Sequence, residues 1–232
     1  MSANKYGNTL TIILIVLIVA ILIASGILLY NYVIKPNIED NRTIEAIAEF
    51  DRNLEEEEEP QVQENQNTVI NPMETPNQTN TNTNTSDGGT KKAKKKTYYE
   101  GFVMIGYITI PKTDVKLPIL DTVTPESLNT AVAALYPSNP QLNKPGNVVI
   151  VGHNYRNGQF FSNNKKLSIG DKVKIKDTTG TELTYKIYEI FETTEQDTSF
   201  YTRNTKGAIE ITLSTCTDDS KARTIILARV EQ

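Results

Sequence analysis

Ile209-Glu210-Ile211-Thr212-Leu213-Ser214-Thr215-Cys216 is a β-branched run that closes on the only cysteine of the chain. Runs of this composition read as sheet strands. A second run, Val148-Val149-Ile150-Val151-Gly152-His153-Asn154, closes in the same way on the only histidine. A strand end is where a rigid scaffold presents a side chain to a cleft. With the two ends as neighbours, the chain offers a thiol, an imidazole and little else for nucleophilic chemistry. One cysteine makes no internal disulfide. One cysteine and one histidine do not supply the four ligands of a structural zinc site.

Around these two runs the C-terminal part breaks into short strands. They are expected at 101–110, 117–120, 147–151, 172–176, 183–191, 208–215 and 224–230. Turn signals stand between them, as at Gly170-Asp171 and Thr178-Thr179-Gly180-Thr181. One helix is expected over 125–135, with Pro125 at its first turn, Glu126 near its positive end, and Leu128, Val132 and Leu135 on one face. Seven or so strands with one helix predict a mainly β fold, a closed or nearly closed barrel.

The rest of the chain is organised differently. Residues 1–9 form a short tail. Residues 10–34 begin with an uncharged run, Leu10 to Tyr30. As a helix that run is about 30 Å long, enough to cross a bilayer. It is longer than a secretory core and lacks a clear small-residue cleavage site, which favours an uncleaved signal anchor. The positive-inside tendency puts the N-terminus in the cytoplasm and the C-terminal part outside, a single-pass arrangement. Residues 35–60 read as an acidic juxtamembrane helix with a thin apolar stripe, expected to be a solvated stalk. Residues 61–97 are rich in Asn, Thr, Gln and Pro and read as a disordered linker, with an end-to-end distance on the order of 30–35 Å. It ends in the cluster Lys91, Lys92, Lys94, Lys95, Lys96, read as a solubilising run with anionic lipid or wall polymer as alternatives. Residues 98–232 are the folded domain. They carry 15 Lys/Arg and 15 Asp/Glu, so the net charge of −4 comes from residues 1–97. A neutral domain gives no support to nucleic-acid binding.

Arg223 opens the last strand seven residues after Cys216. A hairpin with a five- or six-residue loop returns it to the level of the thiol. There a guanidinium can hold a substrate carbonyl, stabilise an oxyanion or favour the thiolate. Arg229, six positions further on, is the weaker candidate.

Five segments together resemble a sortase in order and spacing. They are Ile105-Gly106-Tyr107-Ile108-Thr109-Ile110-Pro111; Leu117-Pro118-Ile119-Leu120; Gly146-Asn147 leading into Gly152-His153-Asn154; Thr212-Leu213-Ser214-Thr215-Cys216; and Arg223 with its β-branched strand. The resemblance covers roughly residues 101–231 and implies a closed β-barrel of about eight strands with one or two short helices. It also implies a membrane-anchored cysteine transpeptidase of a Gram-positive cell surface. Cys216 would attack the Thr–Gly bond of an LPxTG-like signal on secreted proteins. His153 would protonate the leaving amine, and Arg223 would bind substrate backbone and stabilise the oxyanion. Thr215, Ser214 and Asn154 would bind substrate. The acceptor would be an amine of a peptidoglycan precursor or a pilin lysine. A thiol protease on the same scaffold and a non-enzymatic surface domain are the alternatives.

No cofactor is expected. No metal is expected either, although Glu192, Glu195 and Asp197 lie on the loop beside which some sortases bind calcium. The segment before the strand at 208 is about sixteen residues, which suits a class D- or A-like architecture better than class B. The absence of an Asp-Pro-aromatic lid motif, and an end just past the last strand, argue against pilus polymerisation.

Overall fold

A computed structural model describes residues 3–30, 35–58 and 95–231 of the chain. Lys91, Lys92, Lys94 and most of the Asn/Thr-rich segment lie outside the described residues. In chain order the elements are α1 (Ala3–Leu29), α2 (Lys35–Glu58), β1 (Thr97–Tyr99), β2 (Phe102–Ile110), β3 (Val115–Leu120), α3 (Pro125–Leu128), β4 (Val132–Tyr136), β5 (Gly146–Val151), β6 (Lys172–Asp177), β7 (Glu182–Thr193), β8 (Ile209–Cys216) and β9 (Arg223–Val230). Leu10–Leu29 has a mean hydropathy of 3.4, and α1 is long and apolar enough to cross a membrane.

The strands lie in the order β1-β2-β3-β4-β5-β8-β9-β7-β6, and pairing of β2 with β6 closes an eight-stranded barrel from β2 to β9. Closure removes the open edges that a flat sheet would expose. β2 changes partner along its length, pairing first with β1 and from Gly106 onward with β6. A Cβ at Gly106 would lie 2.3 Å from the Lys176 carbonyl oxygen, so the strand crossing needs glycine there. Ile108, Ile119, Ile150, Ile175, Leu213 and Ile226 fill the interior.

Two expectations are corrected. The helix expected over 125–135 stops at Leu128. Thr124 and Ser127 form a reciprocal cap at its start, and Asn129 ends it. Residues 132–136 are instead a strand, parallel to β3 and antiparallel to β5. Val132 and Ala134 point into the barrel, while Ala131 and Ala133 pack outside it with Leu120 and Tyr99. Both faces are buried, so an apolar run carries no strand alternation to read.

The second correction concerns α2. It is helical, but it is not a solvated stalk. Ile47 and Phe50 pack on Met104 and Tyr107, and Ala46 joins Tyr99 and Leu120. Phe50 meets Tyr107 edge-on at 6.0 Å between ring centroids. Polar pairs border this seam. Asn53 Nδ2 donates to Thr97 Oγ1 at 2.8 Å, and Lys176 Nζ pairs with Asp51 at 2.8 Å. The Asp51 carboxylate also helps burial raise the Tyr107 phenol pKa above its ordinary value.

Candidate active site

Alternation along three neighbouring strands sorts the candidate residues by face. Along β5, Val148 and Ile150 point into the barrel, and Val149 and Val151 point out. Along β9, Ile226 and Ala228 point in, and Ile225 and Leu227 point out. Along β8, Ile211 and Leu213 point in, so Thr212, Ser214 and Cys216 lie on the outer face. His153 and Arg223 continue the outward series of β5 and β9. The thiol, imidazole and guanidinium therefore share one face at one end of the barrel.

The register brings them to one level. Cys216 and Arg223 are direct partners across the β8–β9 ladder. The loop between them, residues 217–222, is closed by Thr217 N donating to Ala222 O at 2.9 Å. Arg223 Nη1 approaches Cys216 Sγ at 3.8 Å, and Nη2 pairs with Glu195 Oε1 at 3.1 Å. β5 runs parallel to β8 with Val151 beside Ser214, and Gly152 N donates to Ser214 O at 3.2 Å. Continued two residues along each chain, that register carries His153 and Cys216 to the same end of the ladder. Arg229 lies at the other end of β9, over the Tyr188 ring.

Gly152 sets the imidazole. It faces inward, and a Cβ there would stand 2.8 Å from Val132 Cγ1 and 2.9 Å from Phe161 Cδ2. Gly152→Ala is expected to overpack this point, cost about 1–3 kcal/mol of stability and displace His153. Thermal unfolding and turnover, measured together, check both effects.

Burial lowers the His153 pKa below its ordinary value, because the charged form loses solvation. The imidazole is therefore neutral at pH 7 and able to accept a proton. Unfolded chains bind this proton more readily, so His153 favours folding more as pH rises through the window just below pH 6.5. As the only histidine, its ring proton gives a single NMR titration curve, and the expected midpoint lies below 6.5. Tyr155 stacks on it at 4.9 Å between centroids and donates from its hydroxyl to Asn129 Oδ1 at 2.8 Å. Sequence reasoning passed over Tyr155, two residues beyond His153; the one signal was its place in the same run.

The other three candidates have different surroundings. Ser214 lies on the Cys216 face but is buried. Thr215 alternates inward, also buried, and its hydroxyl has no partner. Its side chain is turned away from the face that carries Cys216. Asn154 Nδ2 donates to Cys216 O and to Asp218 Oδ1, both at 3.0 Å. Its amide thus clamps the β8–β9 loop to the His153 loop. Lys165 reinforces the clamp through Asp218 at 2.6 Å, and Arg156 through Ser220 at 2.7 Å. The Lys165 and Asn154 bonds hold the Asp218 carboxyl below the usual carboxylate range.

A roof covers the outer face. The loop between β7 and β8 packs Phe200 and Tyr201 over Val149, Ile225 and Leu227. Arg203 pins this loop from beneath. Its guanidinium bonds Glu210 Oε2 and the Tyr188 hydroxyl at 2.6 Å, Asn147 Oδ1 at 3.0 Å and Thr212 Oγ1 at 3.2 Å. Sequence reasoning missed Arg203, which sits in a polar stretch with no periodicity. Two of the loop acids have partners. Glu195 pairs with Arg223, and Asp197 accepts from Thr193 Oγ1 and Ser199 N.

Comparison with known proteins now decides the family. Residues 108–231 match the sortase domain model. The chain belongs to the sortase family. It is 34% identical to Sortase A of Bacillus anthracis over 122 residues, which is 51% of this chain and 56% of that protein. The chain thus spans just over half the length of that relative. Among solved structures, this sortase resembles a Clostridium perfringens Sortase D5 transpeptidase at 32% identity and TM-score 0.50, over 56% of this chain and 79% of the other. Sortase A from Corynebacterium diphtheriae is 27% identical at TM-score 0.51, over 56% and 62%. The matched region holds Cys216, His153 and Arg223; α1 and α2 lie outside the 108–231 match.

Proposed function

We propose that this sortase is a membrane-anchored cysteine transpeptidase in which Cys216, His153 and Arg223 carry the chemistry. The observation that supports it most is the Arg223 guanidinium 3.8 Å from Cys216 Sγ, on the face shared with His153. Cys216 Sγ attacks the carbonyl carbon of the Thr–Gly bond in an LPxTG-like signal, and its proton passes to the neutral His153. The oxyanion that forms lies beside Arg223, whose charge stabilises it as it develops. His153 then gives its proton to the departing glycine amine, the C–N bond breaks, and an acyl thioester remains on Cys216. An incoming amine attacks the thioester and loses its proton through His153, and the thiol is restored.

Secreted proteins bearing a C-terminal sorting signal are the substrates. A peptidoglycan precursor of a Gram-positive cell wall or a pilin lysine supplies the amine. With α1 as a single-pass anchor and the N-terminus in the cytoplasm, the barrel faces outward. Ser214 and the backbone of Thr215 border the groove floor, and Asn154 holds the loop that carries the thiol.

Product analysis tests the reading. With an LPxTG-type peptide and a small amine, the expected products are an amide-linked N-terminal fragment and a free glycine-led fragment. Free acid alone, unchanged at saturating amine, would make this chain a thiol protease instead.

A further inference from the structure

We infer that α2 is a rigid strut that limits how far the barrel stands above the membrane surface, and that this distance does not depend on the length of residues 59–94. The inference rests on α1 spanning a bilayer and does not depend on the transpeptidase chemistry.

The first observation is where the Asn/Thr-rich segment begins and ends. Asn53 bonds Thr97, and Lys95 pairs with Glu56 at 3.5 Å. Residues on either side of that segment are therefore neighbours, and its length does not separate the barrel from α2. The coil-like spacing expected from composition is not the distance between membrane and barrel.

The second observation is the seam. α2 is fastened to the barrel by buried Ala46, Ile47, Phe50 and Asn53, by Asp51–Lys176, and by Arg42–Glu100 at 3.1 Å. Between Leu29 and Lys35 the chain spans at most about 20 Å. From Lys35 to Ile47 a helix rises about 18 Å. Ile47, and the barrel it touches, thus lie within about 40 Å of the end of α1. Freed from the seam, α2 plus a coil of the following residues would let the barrel roam to on the order of 90 Å.

The third observation is the free face of α2. Asp40, Glu45, Glu49 and Glu55 are exposed. Acidic side chains are repelled by anionic headgroups, and Ala46, Ile47, Phe50 and Leu54 are spent on the barrel, which leaves Ile44 as the one large exposed apolar side chain described on the helix. The helix therefore favours standing off the lipid over lying in it, and it keeps the barrel within that reach.

Energy transfer from the barrel to the bilayer tests this in the full chain. A donor is attached at Tyr98→Cys, an exposed position on β1, in a Cys216→Ala background, and the protein is placed in vesicles bearing acceptor-labelled lipid. Deleting residues 62–90 is expected to leave the transfer unchanged. Ile47→Asp with Phe50→Asp is expected to lower it at least twofold. Transfer that rises on deletion, or that ignores the double substitution in a folded barrel, overturns the inference. If circular dichroism shows the double variant unfolded, the deletion decides alone. A chain inactive toward every peptide would still report its height, so the inference and the transpeptidase reading fail separately.

Discussion

Cys216→Ala is expected to abolish turnover, a loss on the order of 10⁴-fold or more, and to leave the barrel folded. The reason for the first half is chemical scarcity. Cys216 is the only cysteine, and on the face it shares with His153 and Arg223 no other group takes its place as nucleophile. The reason for the second half is position. Cys216 is the last residue of β8 and partly exposed, and Arg223 Nη1 approaches its Sγ at 3.8 Å. Removing the sulfur opens no cavity in the interior, so unfolding should shift by less than about 1 kcal/mol. His153→Ala and Arg223→Ala are expected to cost several orders of magnitude each. Matched initial rates and thermal melts of the three variants check both halves. Normal turnover in any one removes that residue from the mechanism.

Arg203→Ala is expected to cost the most stability of any substitution near the site, about 3–5 kcal/mol. Glu210 is 7% exposed and relies on Arg203 for its charge partner, while Tyr188, Asn147 and Thr212 lose a bond each. An uncompensated buried carboxylate is the main part of that cost. For a barrel of this size the melting temperature should fall on the order of 10 °C. The roof loop should loosen as well, since Arg203 Nε also holds the Phe200 carbonyl at 3.4 Å. Substrate affinity is therefore expected to weaken along with stability. Replacing Arg203 and Glu210 together by methionine should recover most of the melting temperature, because no buried charge is then stranded. A single variant as stable as the parent would show that the network does not hold the loop.

The strands that matter most were legible because they end at informative residues. The β5 and β8 runs are β-branched and stop at His153 and Cys216, and a six-residue loop returns Arg223 to its partner across the ladder. Local pattern was enough there. The misses have a common cause: contacts from distant parts of the chain. Val132 to Tyr136 is buried on both faces, so its spacing matched a helix as well as a strand. Phe50 and Ala46 belong to a stripe that makes sense only once β1 and β2 are placed beside it. Thr215 follows from alternation, but its inward turn needs the barrel to define inside. Asn154 follows His153 in sequence, but the loop it clamps lies 62 residues away, so that bond needs the fold to be seen. Arg203 has five acceptors drawn from four segments, and no local pattern announces such a residue.

The most direct measurement is the intact mass of the full chain after incubation with an LPxTG-type peptide and no amine. The expected result is a mass increase equal to the N-terminal fragment of the peptide. It should be absent in Cys216→Ala and discharged as an amide when amine is added. No adduct with any sorting-signal peptide, together with a Cys216 inert to iodoacetamide, would contradict a thioester on Cys216 and with it the proposed transpeptidase.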